Sequence, residues 1–260
     1  MPKKLPMLKK NIVSLLVVLL LLSSCASRKD LVYYQDIDSV QMNNATYQTL
    51  LQPDDLLTII VRGENPEAVV AFNMPNISYN ATDQTGIETQ RLFTYLIDNE
   101  SNINFPVIGK IKLGGLSRVD AEKALVKEIS KYVINPKIDL RILNYKITVQ
   151  GEINKPGTYP ITSERVTVTE ALSIAGDLTV YGKRNNILLL REENGAKKVV
   201  RMDLTKADFI NSPYYYLRQN DVIYVEPNKT KINGAAVGPN TGIILSAVSL
   251  LVTVIALTIR

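Results

Sequence analysis

The C-terminal run from Gly242 to Arg260 constrains this chain more than any other stretch, because it has no charge before its last residue and no proline. An α-helix rises 1.5 Å per residue, so about 18 such residues span about 27 Å, close to the hydrocarbon thickness of a bilayer. The run therefore predicts a transmembrane helix over residues 242–260.

The small and polar side chains of this helix gather along one line. At about 100° per residue they form a stripe, while isoleucine, leucine and valine cover most of the remaining surface. The stripe consists of Gly242, Ser246, Ser249, Thr253, Ala256 and Arg260. One interpretation is close helix–helix packing, which small residues permit. Another is a ring of identical helices whose stripes face water. Both need an oligomer, whereas in a single anchor the stripe would be accidental.

The charge balance excludes several classes of function. The formal net charge is +5, but four lysines lie in a segment that we expect to be removed, which leaves 26 basic against 25 acidic residues. No basic face of the kind that binds nucleic acid remains. The chain has no histidine. Catalysis by imidazole and histidine-ligated metal sites are thereby excluded, and we expect neither a metal nor a cofactor.

The first 24 residues have the pattern of a secretory signal peptide, with a basic start and an apolar stretch from Ile12 to Leu22. Leu22-Ser23-Ser24-Cys25 then resembles a bacterial lipobox, in which cleavage precedes a cysteine that receives a diacylglycerol. Cys25 is the only cysteine, so it has no internal disulfide partner. We expect a lipoprotein whose mature chain begins at Cys25. The alternative is a structural cysteine that follows an ordinary signal peptide.

Residues 25–46 are polar and lack apolar periodicity, which predicts a lipidated tether. A first β-rich unit, residues 47–143, contains short strands, glycine turns and one helix. Ser117-Arg118-Val119-Asp120 resembles a capping box at the start of that helix, with aspartate in place of the usual glutamate. Ala121, Leu125 and Ile129 then lie along one helix face.

A second β-rich unit, residues 144–227, is predicted to contain five strands and a short helix. Thr167-Val168-Thr169-Glu170 is a full capping box for this helix, and Gly176 ends it. The polar residues 228–241 predict a linker into the C-terminal helix. The predicted fold class is therefore α+β, with two small β-rich domains and a C-terminal transmembrane helix.

Two short internal similarities indicate that related architecture is used twice. Ser117–Ala121 and Thr167–Ala171 are the same combination of cap and helix start. Leu51–Ile59 and Leu217–Val225 share a turn followed by a strand, aligned at Asp55 and Asp221.

Several segments, taken in this order, resemble the outer-membrane polysaccharide export family, the Wza-like lipoproteins. Tyr47–Val61 is similar to the family's opening segment, and Asn104–Gly109 with the following Gly115-Leu116-Ser117 is similar to its core. Val149–Tyr159 resembles the start of its β-grasp domain of the SLBB type, and Asn220–Val225 resembles the closing strand. Residues 47–143 would then be the export domain and residues 144–227 the SLBB domain.

This resemblance implies an oligomeric outer-membrane lipoprotein whose subunits form a ring around a conduit for capsular polysaccharide or exopolysaccharide. Most of each chain would lie in the periplasm, anchored through the lipid on Cys25. The implied partners are further copies of the chain, membrane lipid, the passing polysaccharide and an inner-membrane co-polymerase of the chain-length-determining, tyrosine-kinase type. The best-known members carry a second SLBB domain. Only one is found here, which implies a shorter periplasmic stack.

No arrangement of catalytic residues is visible in the sequence, and we do not predict an enzyme. Ser163 and Ser173 have no histidine to act as a general base. The run Tyr214-Tyr215-Tyr216 offers aromatic faces that could stack on sugar rings or pack within the protein. The alternative function is that of a periplasmic ligand-binding or adaptor lipoprotein, in which the C-terminal helix is a simple anchor.

Overall fold

Two β-rich units follow one another along the chain. A computed structural model describes residues 28–42, 47–73, 75–77, 90–193, 195–236 and 241–258. In the first unit the elements are β1 (Leu56–Arg62), α1 (Pro66–Val69), β2 (Pro75–Ile77), β3 (Gln90–Leu92), β4 (Thr94–Leu96), β5 (Asn102–Phe105), β6 (Gly109–Lys112), α2 (Arg118–Ile129) and β7 (Lys137–Ile142).

Strand β1 is the centre of the first unit, because it pairs antiparallel with β4 on one side and β7 on the other. Strands β2 and β3 form one further antiparallel pair, and β5 and β6 form another. Helix α2 begins where the Ser117 hydroxyl accepts a hydrogen bond from the Asp120 N–H. Its predicted apolar face is confirmed, since Ala121, Leu125 and Ile129 are all buried in the core of this unit.

The second unit is built on one five-stranded sheet. Its elements are β8 (Lys146–Gly151), β9 (Gly157–Pro160), α3 (Val168–Ile174), β10 (Gly182–Glu193), β11 (Ala196–Met202) and β12 (Val222–Pro227). The strand order is β11-β10-β12-β8-β9, in which β12 and β8 run parallel and the other neighbours antiparallel. The predicted capping box of α3 is present, with Thr167 and Glu170 bonded to each other's backbone. The α+β class with β-rich sheets is thus confirmed.

The similarity between the two units is a specific turn before the central strand of each sheet. Asp55 precedes β1, Asp221 precedes β12, and both are buried. Each carboxylate accepts a hydrogen bond from the backbone N–H three residues earlier, that of Gln52 at 2.9 Å and that of Arg218 at 2.7 Å. This turn occupies residues 218–221, and strand β12 follows it at Val222.

The two turns also contact the two helix caps in the same way. Leu50, which precedes Asp55, forms an antiparallel β-bridge with Ser117. Tyr216 precedes Asp221 by the same number of residues and forms an antiparallel β-bridge with Thr167. In the first unit the helix follows the turn along the chain, and in the second it precedes the turn. The units therefore share a spatial arrangement although their chain order differs.

The N-terminal strap, residues 28–42, lies against the second unit, whereas the sequence predicted residues 25–46 only as a polar tether. Two neighbouring tyrosines hold it. The ring of Tyr34 stacks on Phe209 at 5.5 Å between centroids, and the Tyr33 hydroxyl donates a hydrogen bond to Asp177. The Arg184 guanidinium lies over the Tyr33 ring. The backbone N–H groups of Tyr34 and Gln35 also donate to the carbonyls of Leu204 and Thr205. A scan for apolar periodicity misses such a segment, because two adjacent rings and backbone hydrogen bonds hold it.

The C-terminal part forms α4 (Lys229–Ala236) within the predicted linker and α5 (Thr241–Thr258). A helix is thus present where the sequence predicted one, but its transmembrane character is not supported. Within the described residues, none of the helices has both the length and the apolar character that a membrane crossing requires.

Candidate functional site

The residues predicted from the sequence as functional lie at the two ends of the chain. Cys25 and Arg260 fall outside the described residues. Gly242, Ser246, Ser249, Thr253 and Ala256 lie in α5. The Ser246 hydroxyl donates to the Gly242 carbonyl and the Thr253 hydroxyl to the Ser249 carbonyl, each at 2.8 Å. These two hydroxyls are therefore satisfied within the helix itself.

The junction between the two units is a second candidate, because a short connection carries a dense set of hydrogen bonds there. Asn144 stands between β7 and β8. Its side-chain amide donates to the Asp54 carbonyl at 2.8 Å and its amide oxygen accepts from the Leu56 N–H at 2.9 Å. Gln219 donates to the Asn144 carbonyl and accepts from the Lys146 N–H. The Asn144 side chain thus bonds the connection to the first unit, and the Gln219 side chain bonds it to the second.

The same junction encloses the interunit cleft, a cavity of about 690 Å³. One wall comes from residues 47–49, 51, 117–119 and 139–142 of the first unit, and the other from Tyr145 and residues 161–165 of the second. Between the two walls the Thr49 hydroxyl donates to the Glu164 carbonyl at 2.7 Å. Concave sites of this size between domains are a common place for ligands.

The charged groups of the cleft come from three different elements. Arg118 begins α2, Arg141 lies on β7, and Arg165 lies in the connection between β9 and α3. Arg141 forms an ion pair with Asp139 at 3.3 Å. Arg118 pairs with Glu164 across the cleft at 2.8 Å, which links the two units.

The three consecutive tyrosines all contact protein groups, as the packing interpretation expects. Tyr216 stacks on Tyr47 of the first unit, with ring centroids 4.5 Å apart. Tyr215 packs on Phe209, and Tyr214 lies beneath Arg191 and Lys198. This part of the structure uses its aromatic faces internally and at the junction.

The two structurally equivalent aspartates differ in their electrostatic surroundings. Asp221 forms a bidentate ion pair with Arg191, with contacts of 3.0 and 2.6 Å, and both side chains are 1% exposed. For Asp55 no ion pair with a described basic residue is present, and its Oδ1 atom is buried without a described hydrogen-bond partner. Burial therefore raises the pKa of Asp55 to about 6, against the opposing hydrogen bond from Gln52.

Asp55 should make stability depend on pH. A carboxyl whose pKa is raised in the folded state binds its proton more tightly there, so the free energy of unfolding should fall as pH rises from about 4 through about 6. Asp55→Asn should remove this slope and add about 2 kcal/mol at pH 7. Thermal unfolding between pH 4 and 8 measures the effect, with Asp54→Asn, its exposed neighbour, as the matched control. An Asp55→Asn protein less stable than wild type at pH 7 would contradict this account.

Sequence reasoning missed the cleft and its arginines. In the sequence Arg118 is part of a helix-start pattern only, and Arg165 belongs to no local motif. The one available signal was the cap at Ser117, which fixes where the helix begins and hence where Arg118 stands. Its partner Glu164 is distant in sequence, and no periodicity connects the two.

Comparison with known proteins gives two matches that lie end to end. Residues 43–143 match the family described as polysaccharide biosynthesis/export protein, and residues 145–225 match the SLBB domain. The boundary between the matches falls at Asn144, which forms hydrogen bonds with residues of both units.

Two curated relatives carry the name EPS I polysaccharide export outer membrane protein EpsA. The one from Ralstonia solanacearum is 28% identical over 215 residues, which cover 79% of this chain and 55% of the relative. The one from Ralstonia nicotianae is 28% identical over 196 residues, covering 72% of this chain and 50% of the relative. The chain thus spans about half the length of the curated relatives it matches.

Proposed function

We propose that the chain is a member of the polysaccharide biosynthesis/export protein family, whose model matches residues 43–143, and that it carries exopolysaccharide out of the cell as an outer-membrane component. The observation that supports this most is the order of the two matched domains, an export domain followed at once by an SLBB domain. The curated relatives, named as outer-membrane proteins of exopolysaccharide export, match across both domains.

The junction supports the proposed domain division. We assign residues 47–143 to the export domain and residues 144–227 to the SLBB domain. Asn144 and Gln219 hold the two together. The Arg118–Glu164 ion pair and the Tyr47–Tyr216 stack add two further contacts across the junction. Contacts of this kind between the two domains suit a wall element of a conduit.

The anchor and the assembly are further parts of the proposal. Cys25 would carry a diacylglycerol in the outer membrane, with most of the chain in the periplasm. Copies of the chain would form a ring around the polysaccharide path and meet an inner-membrane co-polymerase of the chain-length-determining, tyrosine-kinase type. The stripe on α5 would be the face along which copies pack, since the Ser246 and Thr253 hydroxyls are bonded internally and leave small groups outward.

Deletion of the gene tests the proposal. Cells that lack only this gene should release far less exopolysaccharide, and a plasmid copy of the wild-type gene should restore release. The uronic-acid or hexose content of the cell-free medium measures it, normalised to cell mass. Unchanged release in the deletion strain would show that the chain is not needed for export.

A further inference from the structure

The interunit cleft has more hydrogen-bond donors than the described protein groups satisfy. The Tyr47 hydroxyl is buried there and has no hydrogen-bond partner among the described residues. Arg118 Nε is also buried, and it lies 2.8 Å from the Glu164 carboxylate, which is its anionic partner within the chain. An unpaired buried donor is costly, so the Tyr47 hydroxyl favours an acceptor from outside the chain.

Arg165 supplies a third donor group and a positive charge. It is exposed in the cleft, and among the described residues no carboxylate lies within ion-pair distance of it. Its guanidinium carbon stands 5.3 Å from the centre of the Tyr216 ring, which is itself stacked on Tyr47. An arginine held over an aromatic face keeps its fork of N–H groups free for a planar anion.

Arg118 is held in place by a separate set of contacts. Its Nη1 donates to Glu122 Oε1 at 2.8 Å, and the same oxygen accepts from the Leu140 N–H at 3.2 Å. Glu122 is thereby fixed to strand β7. Glu164 on the other side is 73% exposed. Its carboxylate can leave for solvent when another anion enters, whereas Arg118 stays in position.

We propose that the interunit cleft binds a segment of a carboxylate-bearing saccharide. Arg165 and Arg118 bind the sugar carboxylate, and the Tyr47 hydroxyl donates to a sugar oxygen. Charge-assisted bonds from arginine suit a planar carboxylate, and the exposed Thr162 and Gln48 at the rim suit sugar hydroxyls. The inference rests on the proposed export function and names the chemical class of polymer that the conduit contacts.

Two matched probes test the charge requirement. Short oligogalacturonate carries one carboxylate per sugar, and its methyl ester has the same backbone without the charge. Calorimetric titration of the full-length protein in mild detergent should show binding of the acid form at least about tenfold tighter than that of the ester, as expected for loss of charge-assisted bonds. Equal affinity for the two probes, or no binding of the acid form by the wild-type protein, overturns the inference.

Arg165→Gln tests the residue itself. Because Arg165 is exposed and makes no ion pair with a described residue, the variant should fold normally and bind oligogalacturonate about tenfold more weakly. Arg201→Gln, an exposed arginine on β11 outside the cleft, is the matched control and should change affinity by less than about twofold. Wild-type affinity in Arg165→Gln refutes the assignment. So does a change in assembly size in that variant, because the cleft would then be a contact between subunits.

Failure of this inference can be distinguished from failure of the proposed function. A wild-type protein that restores export in the deletion strain but binds neither probe refutes the cleft assignment alone. A protein that binds the acid probe through Arg165 but is dispensable for export refutes the export function and leaves the binding site standing.

Discussion

Replacement of Arg191 by methionine should lower the free energy of unfolding by about 3 to 5 kcal/mol, because it leaves a buried carboxylate without its cation. Arg191 and Asp221 are each 1% exposed, and two guanidinium nitrogens contact the carboxylate. Arg191 also donates to the Tyr216 carbonyl at 2.9 Å. The pair thus links strand β10, the turn before β12 and the tyrosine that stacks on the first unit.

Urea unfolding of the full-length protein, followed by tyrosine fluorescence, measures this effect. A double variant, Arg191→Met with Asp221→Asn, is the informative comparison. Asparagine keeps an acceptor for the Arg218 N–H and removes the charge, so the double variant should regain stability to within about 2 kcal/mol of wild type. If Arg191→Met alone lies within about 1 kcal/mol of wild type, the ion pair does not hold the turn.

Gly151→Ala should destabilise the SLBB domain by about 3 to 5 kcal/mol, through steric overlap and backbone strain together. Gly151 has φ +93°, and a Cβ built on it would lie 2.1 Å from the Val225 carbonyl oxygen. That oxygen accepts the Glu152 N–H at 2.9 Å, at the end of the parallel pairing of β8 with β12. A methyl group at this point forces the two strands apart.

Gly195→Ala provides the matched control in the same domain. Gly195 has φ +75°, but a Cβ built on it would meet no described atom within 4 Å. Its substitution should therefore cost only the backbone strain, about 1 to 2 kcal/mol. Thermal unfolding of the two variants separates overlap from strain. If Gly151→Ala is no less stable than Gly195→Ala, the close approach of β8 and β12 is not the reason for glycine at residue 151.

Local signals in the sequence predicted much of the fold. The cap at Ser117 and the capping box at Thr167 fixed both helix starts, and the spacing of Ala121, Leu125 and Ile129 predicted the buried face of α2. Such features follow from contacts within a few residues. The shared turn at Asp55 and Asp221 was equally visible, because it is a repeated local pattern.

The features that the sequence did not predict depend on contacts between residues far apart in the chain. The cleft joins Arg118 to Glu164, and the strap joins Tyr34 to Phe209. Neither pair produces a periodic pattern in the amino-acid sequence. The transmembrane prediction over residues 242–260 came from hydropathy, and no described helix has the length and apolar character that a membrane crossing requires.

The location of newly made polymer tests the central claim, that this chain exports polysaccharide, most directly. Cells that lack only this gene are given labelled sugar, and labelled polymer is measured in the cytoplasm, the periplasm and the medium. Export as proposed predicts that polymer is still made, accumulates within the cell envelope and is nearly absent from the medium until the wild-type gene is restored. Labelled polymer that reaches the medium in the same proportion with and without the gene would contradict the account.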